Sequence, residues 1–173
     1  MIFKITGAIL IVASCSMGGA LYSNIYINRL ENLKAFSICL EMLRSEIAYT
    51  HMTLSEASSI IGQKTDGPVA DIFTEFSCIL NLKKGYTAHI AWEEALNKNL
   101  EWLDFNDEEI ELVKTLGDVI GTSDTVNQEK SLTLLSKQLD MLVEKAAAEK
   151  DKNVKMYRNL GLLGGLGLAI LLI

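Results

Sequence analysis

The sequence predicts an all-α fold: a membrane-anchored six-helix bundle with N-terminal and C-terminal transmembrane helices. Three observations carry that expectation. Both ends are free of charge, over residues 5–28 and 159–173, while all 22 acidic residues and every basic one except Lys4 lie between them. Apolar residues recur in steps of three and four throughout the middle. No stretch alternates with period two between turn residues, so strands are not expected. A single Pro and frequent Leu, Ile, Val and Phe also argue against disorder.

The elements follow in order. Residues 5–28, drawn as a helix, measure roughly 36 Å against a hydrocarbon core of about 30 Å. Tyr22 and Tyr26 sit near the inner end, where an amphipathic ring suits the interface. The quartet Val12-Ala13-Ser14-Cys15 resembles a lipoprotein cleavage box. The apolar run continues well past Cys15, so a retained anchor is expected rather than a cleaved signal. No helix breaker follows. Leu30, Leu33, Phe36, Leu40, Leu43 and Ile47 extend one helical face to about Tyr49. Thr53 and Glu56 form a capping box that opens a short helix, expected to stop at Gly62. Gly67-Pro68 restarts the chain with Pro at the tolerated first position, and Val69, Ile72, Phe73, Phe76 and Leu80 make a stripe running toward Gly85. Residues 87–103 form the next helix, with Ala91, Trp92, Ala95 and Leu96 inward. Asn106 and Glu109 are a second cap pair, opening a helix that carries Ile110, Val113 and Leu116.

The last helix is expected to start near Asp124. Leu132, Leu135, Leu139, Leu142 and Ala146 step as in a coiled-coil seam. The helix should then continue through the polar neck at 149–153 into the second apolar run. Residues 159–173 reach only about 22 Å as a helix, but Tyr157 and a snorkelling Arg158 add length. The run is apolar all round the wheel, which favours insertion over burial in a soluble core. Gly161 and Gly165 form a GxxxG pair, and Ser14 and Gly18 share that spacing; these four are the candidate transmembrane packing residues. Arg29 and Lys34 flank the first span, and Lys150, Lys152, Lys155 and Arg158 flank the second, against Lys4 alone on the other side. The excess of cations places the middle in the cytoplasm. The expected organisation is an N-terminal span at 1–28, a cytoplasmic bundle at 29–158 and a C-terminal span at 159–173.

Composition removes several functions. A net charge of −6 without a basic stripe between the spans argues against nucleic acid. Cys15, Cys39 and Cys78 are odd in number and widely spaced, so they read as buried free thiols, not as a disulfide framework or a zinc site. The glycine-rich run 161–167 lacks the Lys-Ser/Thr of a phosphate loop. His51 and His89 have no ligand partner at i+4. No nucleophile and base can be paired, so neither an enzyme nor a bound cofactor or metal is expected. The carboxylates of Asp107, Glu108 and Glu109 suit a helix start, where they complement the macrodipole. Read more sharply, Asp104, Asp107, Glu108 and Glu111 are a candidate partner-docking patch.

A family resemblance rests on particular blocks. Leu43-Arg44-Ser45-Glu46-Ile47 is followed by Leu54-Ser55-Glu56-Ala57, then by Ala91-Trp92-Glu93-Glu94-Ala95-Leu96. The run Glu111-Leu112-Val113-Lys114-Thr115-Leu116-Gly117-Asp118 comes next, with Gly121 four residues on and a leucine-stepped helix after it. In this order the chain resembles the stage III sporulation protein AB family over essentially its whole length. That family is similar in fold to the cytoplasmic helical domain of type II secretion inner-membrane platform proteins. The resemblance implies a component of the channel complex between mother cell and forespore. It would sit in the outer forespore membrane, with its bundle on the mother-cell side. The implied partners are the companion secretion-type ATPase, stage III sporulation protein AA, other membrane proteins of the channel complex, and the lipid bilayer. Platform proteins usually carry two bundles and this chain has room for one, which points to a homo-oligomer or to a reduced adaptor. A membrane-bound sensing or signalling module is the alternative; it would require a pocket of convergent polar groups.

Overall fold

The computed structural model describes residues 2–49, 52–82, 85–121 and 125–172. His51 and the expected helix start at Asp124 lie outside the described residues, as does the Lys4 side chain. The described chain contains helices and no strand: α1 (Ile2–Tyr49), α2 (Leu54–Lys64), α3 (Pro68–Asn81), α4 (Ala88–Asn99), a 3-10 turn (Leu100–Trp102), α5 (Asp107–Ile120) and α6 (Thr125–Leu172). It packs as two compact units, one made of Met1–Leu30 with Lys145–Ile173 and the other of Glu31–Glu144. The neck at 145–158 thus packs with the chain ends.

The Glu31–Glu144 unit begins and ends its helices where local chemistry dictates. The Thr53 hydroxyl accepts from the Glu56 N–H, and the Glu56 carboxylate accepts from the Thr53 N–H at 3.0 Å. The Thr53 hydroxyl and N–H hold that carboxyl below its usual range. Asn106 and Glu109 repeat the reciprocal cap at the start of α5. These bonds satisfy backbone donors that a helix start otherwise leaves open. The core forms around Trp92. Phe73 and Phe76 both lie 5.3 Å from its ring and Phe36 lies at 6.2 Å. The Trp92 indole N–H donates to the Val113 carbonyl at 2.9 Å, so the one polar atom of the ring is satisfied inside the core. A Cβ on Gly117 would come within 2.9 Å of Trp92 Cδ1. The absent side chain is what lets the indole lie on α5. On α6, Leu132, Leu135, Leu139, Leu142 and Ala146 are all buried, as the three-four stepping requires. Along α1, Leu30, Leu33, Phe36, Leu40 and Leu43 are buried in the same way.

Three local expectations are corrected. Gly62 does not end α2, which continues to Lys64 and is closed at Thr65, whose N–H and hydroxyl both reach the Ile61 carbonyl. Gly62 instead admits α3: a Cβ there would run into Thr74 and the Ala70 carbonyl. The helix after Thr87 stops at Asn99 and tightens into a 3-10 turn before Leu103. The thiols are all free, but only Cys39 is buried, with Cys78 exposed and Cys15 between the two. Burial pushes the Cys39 thiol up, and its contact with the Thr65 hydroxyl partly offsets that.

The other unit is built differently. Over Thr6–Ile47, α1 is the one helix among the described residues long and apolar enough to cross a membrane, and only 6% of its most apolar window is buried. Before Leu30, what it does bury is a narrow seam against α6. A Cβ on Gly19 would come within 3.1 Å of Gly161 Cα, and a Cβ on Gly165 within 3.0 Å of Val12 Cα and 3.1 Å of Cys15 Cβ. The two backbones therefore approach as closely as glycine permits. Toward the neck, the Tyr157 ring lies 4.8 Å from Tyr22 and is stacked at 5.8 Å on Tyr26. Arg29, with its side chain only 9% exposed, donates from Nη1 to Glu149 Oε2 at 2.6 Å.

Candidate functional site

The surface with the strongest character in the Glu31–Glu144 unit is the outer side of α4, the 3-10 turn and α5. Residues 87–121 contain nine acidic and two basic side chains. Eight of those acids reach the surface and only Glu109, which serves the cap, is buried. The two helices are joined through Trp92 and Gly117 on their inner sides, while Glu93, Asp107, Glu108, Glu111 and Asp118 are exposed. His89 on α4 meets Asp118 on α5 at 3.2 Å near one end of this face.

At the other end the chain makes a particular turn. The Asn32 side-chain amide donates to the Trp102 and Leu103 carbonyls at 3.2 and 3.0 Å, and Leu103 is fully buried. Asp104 then adopts a φ of 56°, a left-handed conformation that Asp tolerates better than most residues. With Leu103 inserted and the turn pinned by Asn32, the Trp102 ring is left 69% exposed. Trp is among the side chains enriched at the energetic centres of interfaces.

Each residue expected from the sequence can now be placed. Asp104 is half-buried in this turn, Asp107 and Glu108 are exposed in the first turn of α5, and Glu111 is exposed one turn on. None of the four is fully buried, and the exposed Trp102 precedes Asp104 by two residues in the chain. Gly161 and Gly165 stand in the α1–α6 seam, but Ser14 and Gly18 are exposed, and a Cβ on Gly18 would meet nothing within 4 Å. The α1 residues at the close approach are Val12, Cys15 and Gly19, one position away from the small-residue pair that spacing suggests. Trp102 is not among the residues expected from the sequence. Its signal was an aromatic between Glu101 and Asp104, just beyond the last inward-facing residue of α4.

Other surface features are less directed. A shallow open depression on α4 is lined by Ile90, Glu93, Glu94, Asn97 and Lys98. Lys98 is tied to Glu75 at 2.5 Å and to Glu94 at 3.5 Å, and the Glu75 carboxylate pushes its pKa up. Among the described residues no group of three His, Cys, Asp or Glu is placed to hold a metal.

Comparison with known proteins sets these features in context. The family model described as stage III sporulation protein AB matches residues 4–173. The protein of that name from Bacillus subtilis (strain 168) is 33% identical over 169 residues, covering 98% of each chain. A solved structure of stage III sporulation protein AB superposes with a TM-score of 0.69 at 29% identity, covering 72% of this chain and 98% of the other.

Proposed function

The chain belongs to the stage III sporulation protein AB family, and from that premise we propose that it is a membrane-anchored platform or adaptor of the mother cell–forespore channel complex. In this reading α1 and the end of α6 cross the outer forespore membrane as an antiparallel pair. The Glu31–Glu144 unit works on the mother-cell side and docks the ATPase, stage III sporulation protein AA. The observation that supports docking is the density of surface carboxylates on α4 and α5, with the exposed Trp102 in the turn that joins the two helices. Acidic side chains raise the encounter rate with a basic partner, and an aromatic anchor contributes most of the affinity once the two are in contact. The role is positional: it needs no chemistry at the face, only a rigid surface held at the membrane.

The docking test is capture of the ATPase by the full chain in detergent. Reversing charge at Glu108 and Glu111 should weaken capture at least tenfold, and Trp102→Ala should do the same, with helicity unchanged in both. Undiminished capture by both variants would leave Asp107 and Glu108 as helix-start residues only and move docking elsewhere.

The second span has its own test. Gly165→Cys, in a chain with Cys78→Ser, should form a disulfide with Cys15 on mild oxidation in native membranes, because the two Cβ positions lie 3.1 Å apart and a small relaxation reaches bonding distance. A residue added after Ile173 should in turn be labelled only from the far side of the membrane. Labelling from the mother-cell side would show that the C-terminal segment does not cross.

A further inference from the structure

We propose that Lys152, Lys155 and Arg158 on α6 form a binding stripe for the headgroups of anionic phospholipids. The proposal rests on the membrane reading of the chain ends. All three side chains are exposed, and none makes an ion pair or hydrogen bond among the described residues. They follow one another at intervals of three, so they wind along one side of the helix. Lys155 stands seven residues before Leu162, and Lys152 fourteen before Leu166; both leucines are exposed. Two heptads return to nearly the same azimuth, so the cations continue the outward apolar face of the same helix.

The acids near them are few. The unit of Met1–Leu30 with Lys145–Ile173 contains two acids, Glu149 and Asp151. Glu149 is engaged by Arg29 at 2.6 Å, and Asp151 faces Lys150 at 3.4 Å. Residues 5–28 contribute no charge at all. Tyr157, between Lys155 and Arg158, lies tilted against Tyr22 and stacks on Tyr26, and aromatic rings of this kind mark the headgroup level. The cations are thus free, sit at the depth of the headgroup phosphates, and project beside the acyl-facing leucines. An acidic segment of a protein would meet the same charges without requiring the adjoining apolar surface, so lipid is the occupant that uses both.

The test reconstitutes the full chain in phosphatidylcholine vesicles containing a trace of spin-labelled phosphatidylglycerol or spin-labelled phosphatidylcholine, and reads the motionally restricted fraction of each. The native chain should restrict phosphatidylglycerol several-fold more strongly, with up to about fivefold preference per cation, and the preference should shrink in 1 M salt, where the screening length falls to about 3 Å. Changing all three residues to Gln should equalise the two lipids while circular dichroism stays the same. Changing both lysines to Arg should preserve the preference, as should Lys114→Gln on α5. Equal restriction of both lipids by the native chain, or a preference that survives the triple change, would overturn the proposal and leave the stripe to an acidic protein partner. Absence of restricted lipid with either probe would overturn the membrane reading, and the proposal with it.

Discussion

The two compact units are opposites in charge and in the way they hold together. Glu31–Glu144 contains twenty acidic and nine basic residues, a net −11, whereas Met1–Leu30 with Lys145–Ile173 contains two acidic and seven basic, a net +5. The first closes around large side chains, with Trp92, Phe36, Phe73 and Phe76 at its centre. The second closes where side chains are missing, at Gly19, Gly161 and Gly165, and turns Leu10, Met17, Leu21, Leu163, Leu166 and Ile170 outward. The difference separates two sources of cohesion. Burial from water at about 25 cal/mol per Å² holds the acidic unit. In the membrane reading proposed above, that force is absent between the two terminal helices and close backbone packing takes over.

The largest effect that would sharpen this contrast is Trp92→Ala. Removing a ring that is 1% exposed should cost about 3–5 kcal/mol, read as a lowered thermal midpoint of the acidic unit. An unchanged melt would mean that the aromatic centre does not hold that unit. Gly161→Leu should do the reverse: the melt of the acidic unit stays within about 0.5 kcal/mol of native, while disulfide formation between Cys15 and a cysteine at position 165 falls sharply. If Gly161→Leu also lowers that melt by several kcal/mol, the two units do not draw on separate sources of stability.

The smallest expected effect is at the α2 cap. Thr53→Ala should cost about 1 kcal/mol. The Glu56 carboxyl is held below its usual range in the folded chain. Its stabilising share is therefore present above the pKa of the unfolded carboxyl and is lost as pH falls through the lower folded value. In Thr53→Ala the acid side of the stability profile should flatten, and a profile superimposable on the native one would place that acid sensitivity elsewhere.

The legible parts of the fold are those set by local rules. Thr53 with Glu56, and Asn106 with Glu109, declare helix starts because the capping partners are three residues apart in the sequence itself. The stripes on α1, α3 and α6 are visible because each helix buries one continuous face. Illegible parts depend on a second helix. Gly62 looks like a stop until α3 is placed against it. Ser14 with Gly18 has the same spacing as Cys15 with Gly19, and only the position of α6 distinguishes the faces. Trp102 is exposed because Asn32, seventy residues away in the chain, holds the turn that sends it outward. The candidate docking carboxylates were readable from composition; the exposure of Trp102 was not.

The long-range closures of α1 on α6 also determine when the molecule can be completed. Arg29 and Glu149 are separated by 120 residues and Glu41 and Ser136 by 95, whereas α2, α3 and α4 each touch the next helix in sequence. At ribosomal elongation rates the interval between the first and last helices is on the order of ten seconds. For that time the newborn α1 stands with its glycine groove bare and Arg29 without Glu149, while the short hairpins downstream assemble among themselves. Any factor that shields a lone nascent span would act during this window, and truncation before residue 149 would make the wait permanent.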